Sequence, residues 1–156
     1  MKMTATRDIA RPAGQVFDFF ADASNNPKWQ NGMQFCEWTS QPPIAVGSTY
    51  QQTARFMGRD ILSTFEVTAH EPGRLIAIET IKSTFPIQVV RTVEPTGNES
   101  CRVSADITGG PERGVAKLVE PLIGRWAQKS VDRDYDRLVQ LLESASSDST
   151  ENSPSE

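Results

Sequence analysis

The sequence has few of the residues from which common catalytic and cofactor sites are built. It contains one histidine, His70, and two cysteines, Cys36 and Cys101. The separation of the cysteines matches no usual zinc spacing, and one histidine provides no alternative base for a Ser-His-Asp arrangement. Neither a glycine-rich phosphate loop nor an HExxH helix occurs. We therefore expect two free buried thiols, no metal, no cofactor and no recognisable catalytic constellation.

Long apolar runs and a basic excess are missing as well. No stretch of about 18 apolar residues occurs, and residues 1–10 lack the apolar core of a secretory signal. The net charge is −4 at pH 7, so no basic face for nucleic acid is expected. These features predict a cytoplasmic protein without stable membrane insertion or a nucleic-acid partner, present as a monomer or homodimer.

Composition and length are those of one globular domain with a short tail. The chain has 156 residues, of which 37% are hydrophobic. This is enough for one hydrophobic core without stabilising disulfides or metals. Its last residues, SASSDSTENSPSE, are rich in serine and acid and hold no aliphatic side chain larger than alanine. We expect a ligand-binding domain over residues 1–144 and a disordered tail over residues 145–156.

The period of the apolar residues changes along the chain and predicts an α+β fold. A strand over residues 3–10 is followed by a helix starting at Pro12 and a short helix over residues 28–32. Period-two alternation then predicts six strands, near residues 35–40, 49–57, 60–70, 75–81, 86–94 and 100–108. A helical pattern covers residues 112–144. The order β-α-α-β6-α predicts a seven-stranded curved antiparallel sheet around a long C-terminal helix, with an apolar pocket between them.

Four predicted turns determine the strand pairing. Gly58-Arg59 suits a two-residue type II′ loop, and Pro72 and Gly73 suit a type II turn. Two further loops centre on Ser83-Thr84 and Gly97. The predicted pairs are Gln52 with Phe65, Val67 with Ile78, Ile78 with Val89, Ile76 with Arg91, Val89 with Ala105, and Arg91 with Val103. All four turns place apolar residues on the same face, which a one-residue slip in any hairpin would have inverted.

The predicted pocket is lined by that face and by one side of the last helix. The sheet contributes Tyr50, Gln52, Phe56, Phe65, Ile78, Val89, Arg91 and Val103. Leu118, Leu122 and Trp126 repeat every four residues, so they share a helix face that we expect opposite the sheet. Trp29 fits either the pocket or the ordinary core.

Arg91 is the anomaly of the apolar face. In one interpretation its guanidinium and the Tyr50 hydroxyl hold a ligand carboxylate, phenol or ketone. In the other, a bulge near Val90 turns Arg91 outward, or the side chain reaches solvent at the rim of the sheet. In the alternation of its strand, His70 lies on the face opposite to the apolar residues, so it is expected at the surface.

Pro121 interrupts the last helical pattern. Because it removes one backbone hydrogen bond, it is expected to kink the helix. The kink either follows the curvature of the sheet or hinges residues 111–120 as a lid over the pocket.

The element order and three segments resemble a known family. The segments are VGSTYQQTARFMGRDILSTFEVTAHEPGRLIAIET, the strand FPIQVVRTVEP and the GG-to-EPL entry into the last helix. Over about residues 3–143 the chain resembles the START-like superfamily, in particular its bacterial polyketide cyclase/dehydrase and lipid-transport branch. The resemblance implies a helix-grip fold with hydrophobic ligands held between sheet and helix.

The resemblance leaves three functions open. The first is binding or transport of a hydrophobic small molecule such as a lipid, polyketide or aromatic metabolite. The second is a cyclase or dehydrase that works by shaping its substrate in a dry pocket, using Arg91, Tyr50 and bound water. The third is a protein-interaction module, for which we expect a filled core without a ligand-sized cavity.

Overall fold

In the computed structural model, residues 1–110 and 116–148 are described, except for the side chains of residues 116–120 and 146–148. The strands are β1 (Lys2–Ile9), β2 (Met33–Trp38), β3 (Thr49–Phe56), β4 (Arg59–Glu71), β5 (Leu75–Lys82), β6 (Ile87–Gly97) and β7 (Ser100–Gly109). The helices are α1 (Ala13–Ala21), the short α2 (Asn26–Trp29) and α3 (Ala116–Asp148). The predicted order β-α-α-β6-α is confirmed.

The seven strands form one antiparallel sheet in the order β1-β7-β6-β5-β4-β3-β2. Strands β2 to β7 are a meander, and β1 joins at the β7 edge. The sheet curves as a half-barrel beside α3, so the helix-grip architecture is confirmed. The helix continues to Asp148, four residues beyond its predicted end. The remainder of the predicted tail, residues 149–156, lies outside the described residues.

Two predicted hairpin registers are confirmed, and two are wrong by two residues. Val67 pairs with Ile78, and Ile78 with Val89, as predicted. In the β3–β4 hairpin, however, Phe56 pairs with Arg59, so the loop is Met57-Gly58 and Gln52 faces Ser63. The β6–β7 hairpin is shifted likewise. Its pairs are Val89 with Ile107, Arg91 with Ala105, and Val93 with Val103. A shift of two leaves every side chain on its predicted face, because the side-chain period of a strand is two.

The β3–β4 loop has a sequence that its backbone does not favour. Met57 and Gly58 have φ angles of 50° and 75°, which correspond to a type I′ turn. Such turns prefer asparagine before glycine, since a methionine Cβ is crowded at positive φ. We predict that Met57→Asn raises the free energy of unfolding by about 0.5–1.5 kcal/mol in urea denaturation. Met57→Ala keeps a Cβ without the local hydrogen bonding of asparagine, and a gain of the same size in that control would refute the explanation.

A bulge in β4 changes the position of His70. The register slips between Val67 and Ala69, so His70 pairs with Ile76 on the inward phase. The imidazole is half-buried, and its ring centroid lies 6.0 Å from that of Phe17. The prediction of a surface histidine is therefore wrong, because strict alternation does not reveal a bulge.

Side-chain hydrogen bonds fasten α3 to β1. Arg7 donates through Nε to Asp136 (2.7 Å) and through Nη2 to Asp132 (3.3 Å). Gln128 pairs with both backbone groups of Thr4, at 3.0 and 2.7 Å. The same part of the helix buries Tyr135, Leu138 and Leu142 in the core. These contacts set which face of α3 is turned toward the sheet.

Candidate ligand-binding cavity

Two adjoining chambers lie between the sheet and α3. The outer chamber has a volume of about 330 Å³ and the inner chamber about 160 Å³. Gln52, Ile87 and Ile107 line both, so the two chambers adjoin at these three side chains. The outer chamber is otherwise lined by Met1, Met3, Ala54, Phe56, Ile61, Ser63, Ser83, Phe85, Thr108, Gly109, Gly110 and Ile123. The inner chamber is otherwise lined by Asn26, Trp29, Gln30, Tyr50, Phe65, Ile78, Val89, Arg91, Val131, Asp134 and Tyr135.

Aromatic contacts hold the walls of the inner chamber in place. The Tyr50 and Phe65 rings of neighbouring strands stack with centroids 5.2 Å apart. Trp29 of α2 meets Tyr135 of α3 edge to face, also at 5.2 Å. All four residues are almost fully buried. Short α2 thus joins α3 in closing the chamber opposite the sheet.

Arg91 points into the inner chamber. The bulge in β6 lies between Pro95 and Gly97 and not near Val90, so the alternation of the strand is kept at Arg91. The residue is only 8% exposed. Its Nη1 donates to the carbonyl oxygen of Phe20 at 3.1 Å, and its guanidinium carbon lies 5.2 Å from the centre of the Trp29 ring. Neither the outward nor the rim position considered for this side chain is found.

The inner chamber collects buried polar atoms that have no hydrogen-bond partner among the described residues. They are Asn26 Oδ1, Trp29 Nε1, Gln30 Nε2 and Arg91 Nε. The Tyr135 hydroxyl lies beside them, with the Arg91 guanidinium as its hydrogen-bonding neighbour. Every one of these atoms belongs to a residue that lines this chamber. Buried polar groups are normally paired, since an unpaired one costs about 1–3 kcal/mol. Their concentration in one place indicates a site for a polar group.

Burial also shifts the titration of groups around the inner chamber. Desolvation raises the pKa of the Asp134 carboxyl from 3.8 to about 6, although the Asn31 N–H donates to it at 2.8 Å and Arg137 is nearby. Burial raises the pKa of Cys36 to about 12 and that of the Tyr50 and Tyr135 hydroxyls, while the charge of Arg91 opposes all three shifts. Tyr50, Tyr135 and Cys36 are therefore neutral at pH 7, and Asp134 titrates just below it.

The sheet residues predicted to line the pocket are brought together, with one exception. Tyr50, Gln52, Phe65, Ile78, Val89 and Arg91 line the inner chamber, and Phe56 lines the outer chamber. Val103 instead lies in the core, 1% exposed, and touches neither chamber. It pairs with Arg7 of β1 and Val93 of β6, neither of which lines a chamber.

The predicted helix face requires correction. Leu122 is 70% exposed and Trp126 54% exposed, and neither lines a chamber. Trp126 packs edge to face on Phe56 at 5.3 Å, outside the lining. The side chain of Leu118 lies outside the described residues, as does most of the lid proposed over residues 111–120. The helix presents Ile123, Val131 and Tyr135 instead, because the contacts with β1 turn the helix face toward the sheet.

Sequence reasoning missed the polar wall of the inner chamber. Asn26, Gln30 and Asp134 are polar and contribute nothing to apolar periodicity. Tyr135 does fit the helical period. Tyr135 lies four residues after Val131 and three before Leu138, on the buried stripe of α3.

Residues 1–110 and 116–148 contain neither a metal site nor a membrane-spanning helix. No group of three histidine, cysteine or acidic residues is placed to hold a metal ion. Within the same ranges, no helix combines the length and the apolar character needed to span a membrane.

Comparisons with known proteins agree on the fold. Residues 1–143 match the family described as polyketide cyclase / dehydrase and lipid transport. The structure resembles TTHA0849 of Thermus thermophilus (TM-score 0.80, 17% identity, 94% of this chain and 99% of that one). It also resembles the Zhui aromatase/cyclase of Streptomyces sp. R1128 (TM-score 0.72, 12% identity, 92% of this chain and 93% of that one). A third similar structure is a START superfamily protein of Mycobacterium smegmatis (TM-score 0.67, 14% identity, 92% of this chain and 95% of that one). No curated protein matches the sequence.

Proposed function

The chain belongs to the polyketide cyclase/dehydrase and lipid-transport family, and on that premise we propose that it binds a hydrophobic small molecule in its two adjoining chambers. The outer chamber is the observation that carries this proposal. It holds about 330 Å³ between apolar side chains such as Ala54, Ile61 and Ile123. Protein interiors are packed nearly as densely as organic crystals, so an apolar recess of this size departs from ordinary core packing and suits an apolar occupant.

The size and lining of the cavity suit a ligand. Small-molecule sites typically hold about 300–1,000 Å³ behind mostly apolar walls with a few polar groups, and the outer chamber alone reaches that range. The inner chamber adds the polar groups. Among the described residues, the two chambers differ from the filled core that was expected for a protein-interaction module.

A substitution that fills the outer chamber tests the proposal. We predict that Ala54→Phe lowers the amount of apolar compound retained through native purification by about tenfold, because its ring occupies the ligand's space. Native mass spectrometry and solvent extraction measure the retained compound. The matched control is Ala77→Phe, on the opposite phase of β5 between buried Ile76 and Ile78. Equal retention by the folded Ala54→Phe variant and the control would refute binding in this chamber.

A specific observation also favours the second candidate, a cyclase or dehydrase. Asp134 and Arg91 line the same inner chamber. A carboxyl with a pKa of about 6 suits proton transfer near neutral pH, and a buried guanidinium stabilises the negative oxygen of an enolate. The extraction distinguishes the two candidates. A carrier returns a supplied poly-keto compound unchanged, whereas an enzyme returns it cyclised or with water removed.

A further inference from the structure

The unpaired atoms of the inner chamber differ in kind, and this difference indicates what they bind. Arg91 Nε, Trp29 Nε1 and Gln30 Nε2 carry hydrogens and only donate. The Tyr135 hydroxyl accepts from the Arg91 guanidinium and keeps its own hydrogen to donate, and Asn26 Oδ1 alone only accepts. The chamber therefore offers more donors than acceptors. A ligand group rich in acceptors, which means oxygen, complements it.

We propose that the inner chamber is an oxyanion site, and that the ligand binds with its anionic head in this chamber. The ligand class is an amphiphile with a carboxylate, phenolate or enolate at one end and an apolar body that fills the outer chamber. This inference rests on the proposed function and adds to it the charge and the orientation of the ligand.

The charges around the chamber favour an anion over a cation. Arg91 is nearly fully buried, and no carboxylate of the described residues lies within 4.0 Å of its guanidinium nitrogens. Asp134 is the acidic residue of the lining, but it is partly exposed and already accepts the Asn31 N–H at 2.8 Å. A ligand oxyanion supplies the partner that Arg91 lacks, and charge-assisted hydrogen bonds are the strong ones.

The outer chamber gives the ligand its direction. Its walls offer apolar side chains with few polar atoms, among them the hydroxyls of Ser63 and Ser83, which bond to one another at 2.7 Å. A charged head placed there would lose its water without gaining partners. The opposite orientation is therefore disfavoured at both ends of the ligand.

Calorimetry with matched probes tests the charge preference. The probes are decanoate, decan-1-ol and decylamine at pH 7.5, with 2-naphthoate and 2-naphthylmethanol as a compact pair. We expect each carboxylate to bind at least tenfold more tightly than its alcohol, which corresponds to about 1.4 kcal/mol, and decylamine to bind most weakly. Equal affinity for acid and alcohol would overturn the oxyanion site and leave the proposed function standing. Failure of every probe to bind would overturn both.

Substitutions locate the preference in named atoms. Arg91→Leu should bring the acid-to-alcohol ratio to within about twofold of one. Trp29→Phe and Tyr135→Phe remove one donor each while keeping a ring, and each should lower the ratio by about two- to tenfold. Ile61→Ala in the outer chamber should weaken acid and alcohol equally. Should Arg91→Leu fail to fold, the two ring variants decide, and an unchanged ratio in both would overturn the proposal.

Discussion

Replacing Arg91 with leucine should raise the free energy of unfolding of the ligand-free protein by about 1–4 kcal/mol, the range seen when buried ion pairs are replaced by well-packed apolar residues. The guanidinium is 8% exposed, donates to the Phe20 carbonyl and to the neutral Tyr135 hydroxyl, and has an unpaired Nε. Trp29 and Phe20 offer it only ring faces, at 5.2 and 6.0 Å. Leucine avoids the desolvation of a charge that has no acidic partner among the described residues.

Urea denaturation of ligand-stripped protein at pH 7.5 measures this effect. The control is Arg55→Leu, whose guanidinium is exposed and bonded to Asp60 at 2.9 Å, and which should change stability by less than about 1 kcal/mol. A loss of more than about 1 kcal/mol in Arg91→Leu would mean that the charge stabilises the empty protein. The predicted gain, combined with weaker binding, would identify Arg91 as a residue kept for the ligand at the expense of stability.

Asp134→Asn should stabilise the protein at pH 7.5 by about 1–2 kcal/mol and have almost no effect at pH 4. Burial raises the pKa of this carboxyl from 3.8 to about 6, so the folded state holds the proton more tightly than the unfolded state. The cost of ionising it is absent below pH 3.8, grows between pH 3.8 and 6, and is complete above pH 6. Asparagine removes that cost and keeps an oxygen to accept the Asn31 N–H.

The difference in stability between variant and wild type, measured from pH 4 to 8, checks this prediction. Asp8→Asn provides a control of opposite sign, because the hydrogen bond from Arg102 at 2.7 Å lowers the pKa of Asp8. That variant should be less stable than wild type above pH 4. If Asp134→Asn raised the free energy of unfolding by the same amount at every pH, ionisation of Asp134 would not be the cause of the stabilisation.

The sheet was predictable because its evidence is local. Each strand alternates between apolar and polar residues, and each turn has residues suited to reversing the chain. The choice between Met57-Gly58 and Gly58-Arg59 as the loop was not predictable from turn preferences, since a methionine at positive φ contradicts them. That error did not reach the pocket, because a shift by two preserves the face.

The helix wall was not predictable in the same way. The apolar residues of α3 are compatible with more than one buried helix face. Contacts between residues distant in sequence, such as those of Arg7 with Asp132 and Asp136, determine which face is buried. Leu122 and Trp126 were therefore placed on the wrong side. Polar lining residues such as Gln30 and Asp134 were missed, since nothing in a periodic pattern marks a polar side chain that the fold encloses.

If a ligand binds as proposed, the bonds that fasten α3 also determine at which end the cavity discriminates between ligands. Among the side chains described from Pro121 onward, those bonded to β1 or to Asn31 begin at Gln128. Val131, Asp134 and Tyr135 of the inner chamber lie within that fastened stretch, whereas Ile123 of the outer chamber precedes it. The head of a ligand thus meets a rigid frame. Across a series of compounds, adding one atom at the head should change affinity more than adding one carbon to the body, so the protein would be selective for one end of its ligand and tolerant at the other.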